Sequence, residues 1–142
     1  MDLADAVAFA RTTRESVLVT IRAGGRPQLS NVWHHVGADG AIRVSITADR
    51  AKYPNLARTP WAALHVTRPD FSAYAVIEAD VVCSPVAVAS ADATVDALVA
   101  HYRTIVGEHA DWDEFRRAQV EQRRVLVQCT PTRAYGMLPP VD

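Results

Sequence analysis

Apolar residues recur along the chain at two different spacings, and the changes of spacing mark the predicted helices and strands. Near the N-terminus they recur every three or four positions, which predicts a helix over residues 2–12 that Asp2 caps. A short helix over residues 49–58 is predicted further on, with Pro54 in its first turn. Between the two helices, alternating and β-branched residues predict strands over residues 16–22, 27–36 and 41–47.

The second half of the chain returns to strand composition and then changes to a helical period. Strands are predicted over residues 61–67 and 74–84. Helical spacing runs from Asp92 to Gly107, a further helix capped by Asp111 follows, and residues 124–130 alternate as a last strand. Because the links are of hairpin length rather than parallel crossovers, the pattern predicts an antiparallel barrel with attached helices, a mainly β member of the α+β class.

Length, charge and composition narrow the classes of function. A chain of 142 residues, of which 49% are hydrophobic, is the size of one domain, expected over residues 1–142. Fifteen basic residues against sixteen acidic ones leave a net charge of -1, which argues against nucleic acid as a partner.

Hydropathy and cysteine usage predict the compartment. Stretches without a charged residue stay far below the roughly twenty residues that a membrane helix needs, so no membrane insertion is expected. Asp2 and Asp5 stand where a signal peptide carries positive charge, so we expect a cytoplasmic protein. Cys83 and Cys129 are then expected to be buried, inert thiols.

The strongest candidate for chemistry is the start of the short helix, where Arg50 and Lys52 follow the polar strand face of Ser45 and Thr47. Lys52 is the only lysine among the fifteen basic residues. Two cations beside the free N–H groups of a helix start make a site for a phosphate or a carboxylate. The alternative is that Arg50 pairs with Asp49 or Glu15 and that Lys52 is solvated.

A second candidate lies on the predicted strand over residues 27–36. Gln28 and Ser30 share one face of this strand, and Leu29 and Asn31 share the other. Their amide and hydroxyl groups have two interpretations, either hydrogen bonding to the polar edge of a heterocycle or simple exposure to solvent.

The histidines and tryptophans have structural interpretations beside functional ones. His34 and His35 are adjacent on a strand and point to opposite faces, so a shared metal ion is disfavoured against a packed or surface pair. A group near a predicted helix end is assigned to helix-end contacts and capping; it comprises His101, Glu108, His109 and Asp111. Trp33 and Trp61 either stack on a bound ring or belong to the barrel core.

Motifs spread over nearly the whole chain resemble the deazaflavin-dependent, actinobacterial branch of the pyridoxamine-5'-phosphate-oxidase-like split-barrel family. They stand in the family's order and spacing: Gly-Arg-Pro-Gln-Leu-Ser-Asn-Val at 25–32, Val-Ser-Ile at 44–46, Arg-Ala-Lys at 50–52 with Asn-Leu at 55–56, Tyr-Arg at 102–103, Gly-Glu-His at 107–109, Asp-Trp at 111–112, Arg-Arg-Val-Leu at 123–126 and Tyr-Gly at 135–136. The resemblance implies a split barrel of the FMN-binding type.

The resemblance also implies a homodimer that holds coenzyme F420, an 8-hydroxy-5-deazaflavin with a phosphate and an oligoglutamate tail, between its subunits. Arg50 and Lys52 would meet the phosphate or the tail carboxylates, with Asn55 supporting them. Arg124 is a further candidate, supplied by this chain or by its partner. The remaining implied contacts are Ser45, Ile46 and Thr47 along the ring or its ribityl chain, Gln28, Ser30 and Asn31 beside it, and Tyr74 closing the pocket.

The function expected from the resemblance is hydride transfer from reduced coenzyme F420 to an electron-poor small molecule. An FMN-dependent enzyme of the pyridoxamine-phosphate-oxidase type is the first alternative, because the single phosphate of FMN also suits Arg50 and Lys52. A protein that binds or carries the cofactor without turnover is the second. The cofactor supplies the difficult chemistry in either enzyme, so no catalytic side chain and no metal ligand are assigned.

Overall fold

A computed structural model describes residues 1–140 of the chain, and the last two residues of the domain predicted over 1–142 lie outside this range. The helices are α1 (Leu3–Ala10), α2 (Lys52–Arg58), α3 (Ala93–Ile105) and α4 (Trp112–Glu121). The strands are β1 (Glu15–Ile21), β2 (Pro27–Val36), β3 (Ile42–Thr47), β4 (Trp61–Thr67), β5 (Tyr74–Cys83) and β6 (Arg124–Met137). Every predicted helix and strand is present, most with ends shifted by one to three residues.

The six strands form a closed antiparallel barrel in the order β1-β2-β3-β6-β5-β4. Alternate residues of each strand point inward, and fully buried Leu18, Ile42, Leu64, Ile77 and Val127 fill the interior. The predicted antiparallel barrel with attached helices is therefore confirmed.

Strand β6 is longer than predicted, because it continues past residue 130 to Met137. The sequence favours an end near Pro131, since proline lacks the N–H group that a central strand donates. The barrel accommodates Pro131 where the register between β5 and β6 shifts, so that Thr132 is an additional residue on β6. Further along, Gly136 has φ +144° and approaches β5 so closely that a Cβ atom there would clash with the carbonyl oxygen of Tyr74.

Helix α1 packs on the barrel through Ala6 and Ala10, both fully buried, and Asp2 caps it as predicted by accepting a hydrogen bond from the backbone N–H of Asp5. Just beyond its end, the Arg11 guanidinium donates to the carbonyl oxygens of Val36 and Gly37, at 3.0 and 2.8 Å. The helix is thereby joined to the end of β2.

Helices α3 and α4 pack against each other and against the outer side of β2 and β6. Their buried residues form a small apolar cluster outside the barrel, in which Leu98 and Phe115 meet Leu126 of β6. Part of the barrel surface is thereby covered, and the site described below lies under this cover.

The two cysteines differ in burial, which corrects one expectation. Cys129 is fully buried in the barrel, where burial and the neighbouring Cys83 raise its pKa to about 12. Cys83, at the end of β5, is only half-buried, although burial raises its pKa too. Both thiols are held in the neutral form.

Among residues 1–140, no helix is long and apolar enough to cross a bilayer.

Candidate functional site

A cleft of about 510 Å³ lies between the outer face of the barrel and the α3–α4 pair, within the roughly 300–1,000 Å³ of ligand pockets. The barrel side contributes Asn31, Val32, Trp33, Ser45, Ile46, Thr47 and Arg124, the start of α2 contributes Arg50 and Lys52, and the helical side contributes Leu98, His101, Tyr102, Ile105, Val106, Phe115 and Gln119. The cleft thus brings together seven of the eleven residues that the sequence and the resemblance predict.

Three cations meet at the cleft: Arg50, Lys52 and Arg124. Burial lowers the pKa of Lys52, and the positive charges of Arg50 and Arg124 lower it further. Burial is also the largest cause that lowers the pKa of Arg124, followed by the charge of Arg50, while Asp49 acts in the opposite direction. Within residues 1–140, no carboxylate oxygen lies within 4.0 Å of these three cationic groups. The cluster is therefore suited to an anion.

The barrel and α2 together place these cations. Thr47 on β3 is directly opposite Arg124 on β6, and the Arg124 guanidinium reaches the Ser45 hydroxyl at 3.4 Å and the Gln122 amide oxygen at 2.9 Å. The chain then turns into α2, whose first residue is Lys52. The predicted alternative, an ion pair of Arg50 with Asp49 or Glu15, does not form in the described part of the chain.

Asn55 and Gln28 hydrogen-bond to each other outside the cleft. The Asn55 amide donates to the Gln28 amide oxygen at 2.9 Å and to the Thr20 hydroxyl at 3.2 Å. Its carbonyl oxygen accepts a hydrogen bond of 2.9 Å from Arg58. These bonds attach α2 to β1 and β2, so both side chains support the helix from which Lys52 projects.

The two other predicted residues outside the cleft are Ser30 and Tyr74. Ser30 lies half-buried on β2, opposite Leu18 of β1. Tyr74 lies on β5, with its ring 5.6 Å from the ring of His65, and does not line the cleft.

The helical wall of the cleft is the part that the sequence did not predict as a site. His101 was assigned to helix-end contacts, but it lies inside α3 and faces the sheet, with 9% of its surface exposed. Its Nδ1 atom has no hydrogen-bond partner among the described residues, nor does the buried Thr47 hydroxyl. The sequence feature that could have revealed this wall is a polar residue on an otherwise apolar helix face, His101 on α3 and Gln119 on α4.

The remaining members of that predicted group do act at helix ends. Asp111 caps α4 by accepting a hydrogen bond of 3.1 Å from the backbone N–H of Glu114. His109 accepts one of 2.9 Å from the backbone N–H of Asp111. Glu108 bonds to Arg103 and to the Trp112 indole. These contacts fix the turn between α3 and α4.

Of the two tryptophans that the sequence offers as ring-stacking candidates, Trp33 borders the cleft and Trp61 does not. Trp33 is 50% exposed, and the guanidinium carbon of Arg14 lies 4.1 Å from its ring centroid. Trp61 is half-buried on β4, away from this cleft. Trp33 thus presents an aromatic ring at the border of the cleft, and the Arg14 guanidinium lies over that ring.

The barrel agrees with the family to which comparison with known proteins assigns the chain. Residues 4–138 match the family described as Pyridoxamine 5'-phosphate oxidase, and the chain belongs to that family.

Solved structures of similar fold include proteins with different cofactors in their names. A conserved hypothetical protein of Mycobacterium tuberculosis is 21% identical, with TM-score 0.71 over 100% of this chain and 91% of that one. An F420 reductase is 22% identical, with TM-score 0.69 over 90% and 94% of the two chains. A pyridoxamine 5'-phosphate oxidase-related, FMN-binding protein of Nostoc punctiforme is 17% identical, with TM-score 0.59 over 94% and 80%. Because the three sequences are only 17–22% identical to this one, the similarity shows a shared fold and no more.

Proposed function

We propose that this chain is an oxidoreductase that binds coenzyme F420 in the cleft under α3 and α4 and passes hydride from the reduced cofactor to an electron-poor small molecule. The observation that carries the proposal is the cluster of Arg50, Lys52 and Arg124, which no carboxylate of residues 1–140 neutralises within 4.0 Å. Membership in an oxidoreductase-containing family and the fold shared with an F420 reductase support it.

The charge of the cleft suits a ligand with several anionic groups. The cations come from two segments of the chain, Arg50 and Lys52 at the start of α2 and Arg124 on β6, and each can meet a different oxygen of a phosphate or carboxylate. Coenzyme F420 carries a phosphate and tail carboxylates, whereas FMN carries one phosphate. No acidic side chain lines the cleft within the described residues, so an anion entering it meets no direct repulsion. FMN is the alternative cofactor, which the shared fold with an FMN-binding protein supports.

The residues of the chain would bind and orient the cofactor. The bound deazaflavin supplies the hydride, and no protein acid is assigned to the proton that follows. Arg50, Lys52 and Arg124 hold the anionic end, while the apolar side chains of α3 and α4 exclude water from the other end. Exclusion of water strengthens each charged contact and protects the reduced cofactor.

We also propose that the protein is a homodimer, as the resemblance implies. Across the outer face of the barrel, Val17 of β1, His65 of β4, Val76 of β5 and Tyr135 of β6 stand side by side. Nearby Met137 is 62% exposed and Tyr135 is 51% exposed. An exposed apolar face of this kind is typical of a surface that another chain covers. The occupant that we propose for this surface is a second copy of the chain, as the resemblance implies.

Titration of the purified protein with coenzyme F420 and with FMN tests the proposed function. We expect saturable binding of coenzyme F420 that is tighter than binding of FMN, and reoxidation of the reduced cofactor in the presence of at least one member of a panel of electron-poor acceptors. Tighter binding of FMN would support the alternative enzyme, and binding without reoxidation would support a carrier. Binding of neither cofactor would overturn the assignment of the cleft.

A further inference from the structure

His101 is a buried histidine whose contacts are incomplete. Its ring lies between α3 and the sheet and borders the cleft. Only 9% of the surface of His101 is exposed. Nδ1 has no hydrogen-bond partner among residues 1–140. A buried polar atom without a partner costs stability, and such atoms in native proteins call for an explanation.

The other fully buried histidine shows that this chain can satisfy an imidazole. Both ring nitrogens of His34 are bonded: Nδ1 lies 2.8 Å from the Ser16 hydroxyl, and Nε2 lies 2.9 Å from the Ala10 carbonyl oxygen. His34 borders a different part of the surface, outside the cleft. The incompletely bonded imidazole is the one that lines the cleft. Its Nδ1 is closed to solvent, so Nε2, which bonds to none of residues 1–140, is the nitrogen that a ligand can reach.

Burial, more than the surrounding charges, keeps the ring of His101 neutral. Burial lowers the pKa of His101 to about 4, and His35 on β2 and Arg43 on β3 contribute in the same direction. Helix α4 contributes no charge to the cleft, since Phe115 and Gln119 are its lining residues. A neutral imidazole offers one donor and one acceptor, which match an N–H or C=O group rather than an anion.

We propose that His101 binds the neutral, hydrogen-bonding edge of the heterocyclic ring of the ligand. The cleft then orients the ligand, with its anionic end at Arg50, Lys52 and Arg124 and its ring under α3. This inference rests on the proposed function, because it assumes a ligand with a polar ring and an anionic end. His101 becomes a determinant of ring specificity, separate from the cations that hold the phosphate.

The test compares two ligands, the complete cofactor and its phosphate-free form, 8-hydroxy-5-deazariboflavin, or riboflavin where FMN is the cofactor. Calorimetry on the full-length protein at pH 7 is expected to show that His101→Leu weakens both ligands by the same factor, about 3- to 10-fold. Lys52→Ala is expected to weaken the complete cofactor alone. His101→Asn, which retains a donor and an acceptor, is expected to restore part of the loss. The control is Ala100→Leu, at an exposed residue of α3 outside the cleft lining, which is expected to leave both affinities unchanged.

The possible results separate this inference from the proposed function. If the wild type binds neither ligand, the proposed function fails and takes this inference with it. If the wild type binds the complete cofactor but not the phosphate-free form, the role of His101 is wrong while the function stands. The same conclusion follows if His101→Leu leaves both affinities unchanged or weakens only the complete cofactor. If His101→Leu does not fold, NMR of the imidazole ¹⁵N nuclei of the wild-type protein tests the contact instead. A shift of the His101 signals on addition of the phosphate-free ligand supports the contact, and unchanged signals overturn it.

Discussion

His34 is a residue whose role follows from its hydrogen bonds. The Ala10 carbonyl can only accept, so Nε2 of His34 donates to it and Nδ1 accepts from the Ser16 hydroxyl. Burial lowers the pKa of His34, the bond to Ala10 opposes that effect, and neighbouring His35 reinforces it. The neutral ring fastens the end of α1 to β1 and β2, so His34 is structural rather than a metal ligand.

The lowered pKa values of His34 and His101 predict how stability depends on pH. A histidine with a lowered pKa in the folded state contributes stability that is complete above pH 6.5 and is lost as pH falls through the folded pKa. For His101, with a folded pKa of about 4, the contribution lost by pH 5 is about 2 kcal/mol. Urea denaturation at pH 7 and pH 5 measures it. His101→Leu should lose correspondingly less stability than wild type over this interval, and equal losses in the two proteins would show that the ring is not buried neutral.

Helix α2 depends on polar contacts that the sequence pattern did not reveal. Asn55 is buried and serves three partners, Thr20, Gln28 and Arg58. Helix α2 has only seven residues and no side-chain cap at its start, so its position is set by these tertiary contacts. Asn55 thus holds α2, whose first residue is Lys52, without lining the cleft itself.

Replacing Asn55 with Ala is expected to cost about 1–3 kcal/mol of unfolding free energy, because Thr20 and Gln28 lose a buried donor. Chemical denaturation measures this cost. Ser90→Ala on an exposed loop serves as the control and should leave stability unchanged. A stability of Asn55→Ala equal to that of wild type would mean that α2 is not held by this side chain.

The strands and helices were predictable from the sequence because their apolar periods are local. The antiparallel barrel followed from the short links, and the grouping of Arg50 with Lys52 followed from their place at the start of α2. The helical wall was not predictable, since α3 meets β2 across more than fifty residues of chain. The polar pattern on β2 also does not distinguish the role of Gln28, which bonds to α2, from that of Asn31, which borders the cleft. The two roles differ because of tertiary contacts that the sequence pattern does not contain.

The whole molecule has two different outer faces. One is covered by α3 and α4 and holds the cleft, and the other presents the row of Val17, His65, Val76 and Tyr135. A closed barrel has no free strand edges, so association is expected through side chains of this face rather than by strand addition.

The dimer proposal predicts that a charge in the centre of that row separates the subunits. Val76→Lys is expected to be monomeric at micromolar concentration in sedimentation experiments in which the wild type is dimeric, because burying an unpaired ammonium is costly. Val88→Lys, at a residue that is 76% exposed in a loop, is the control and should leave the dimer intact. A monomeric wild type, or a dimer that survives Val76→Lys, would contradict the proposed surface.

The central claim is that the cations at the cleft hold the anionic end of the cofactor, and calorimetric titration of Lys52→Ala with coenzyme F420 tests it most directly. A charge-assisted hydrogen bond contributes about 1.5–3 kcal/mol, so the variant should bind about 10- to 150-fold more weakly than wild type. Added salt should narrow the difference, because Lys52 is only partly buried. Arg117→Ala, which removes an exposed cation of α4 outside the cleft lining, should bind like wild type. Equal affinities of wild type and Lys52→Ala at low salt would contradict the claim.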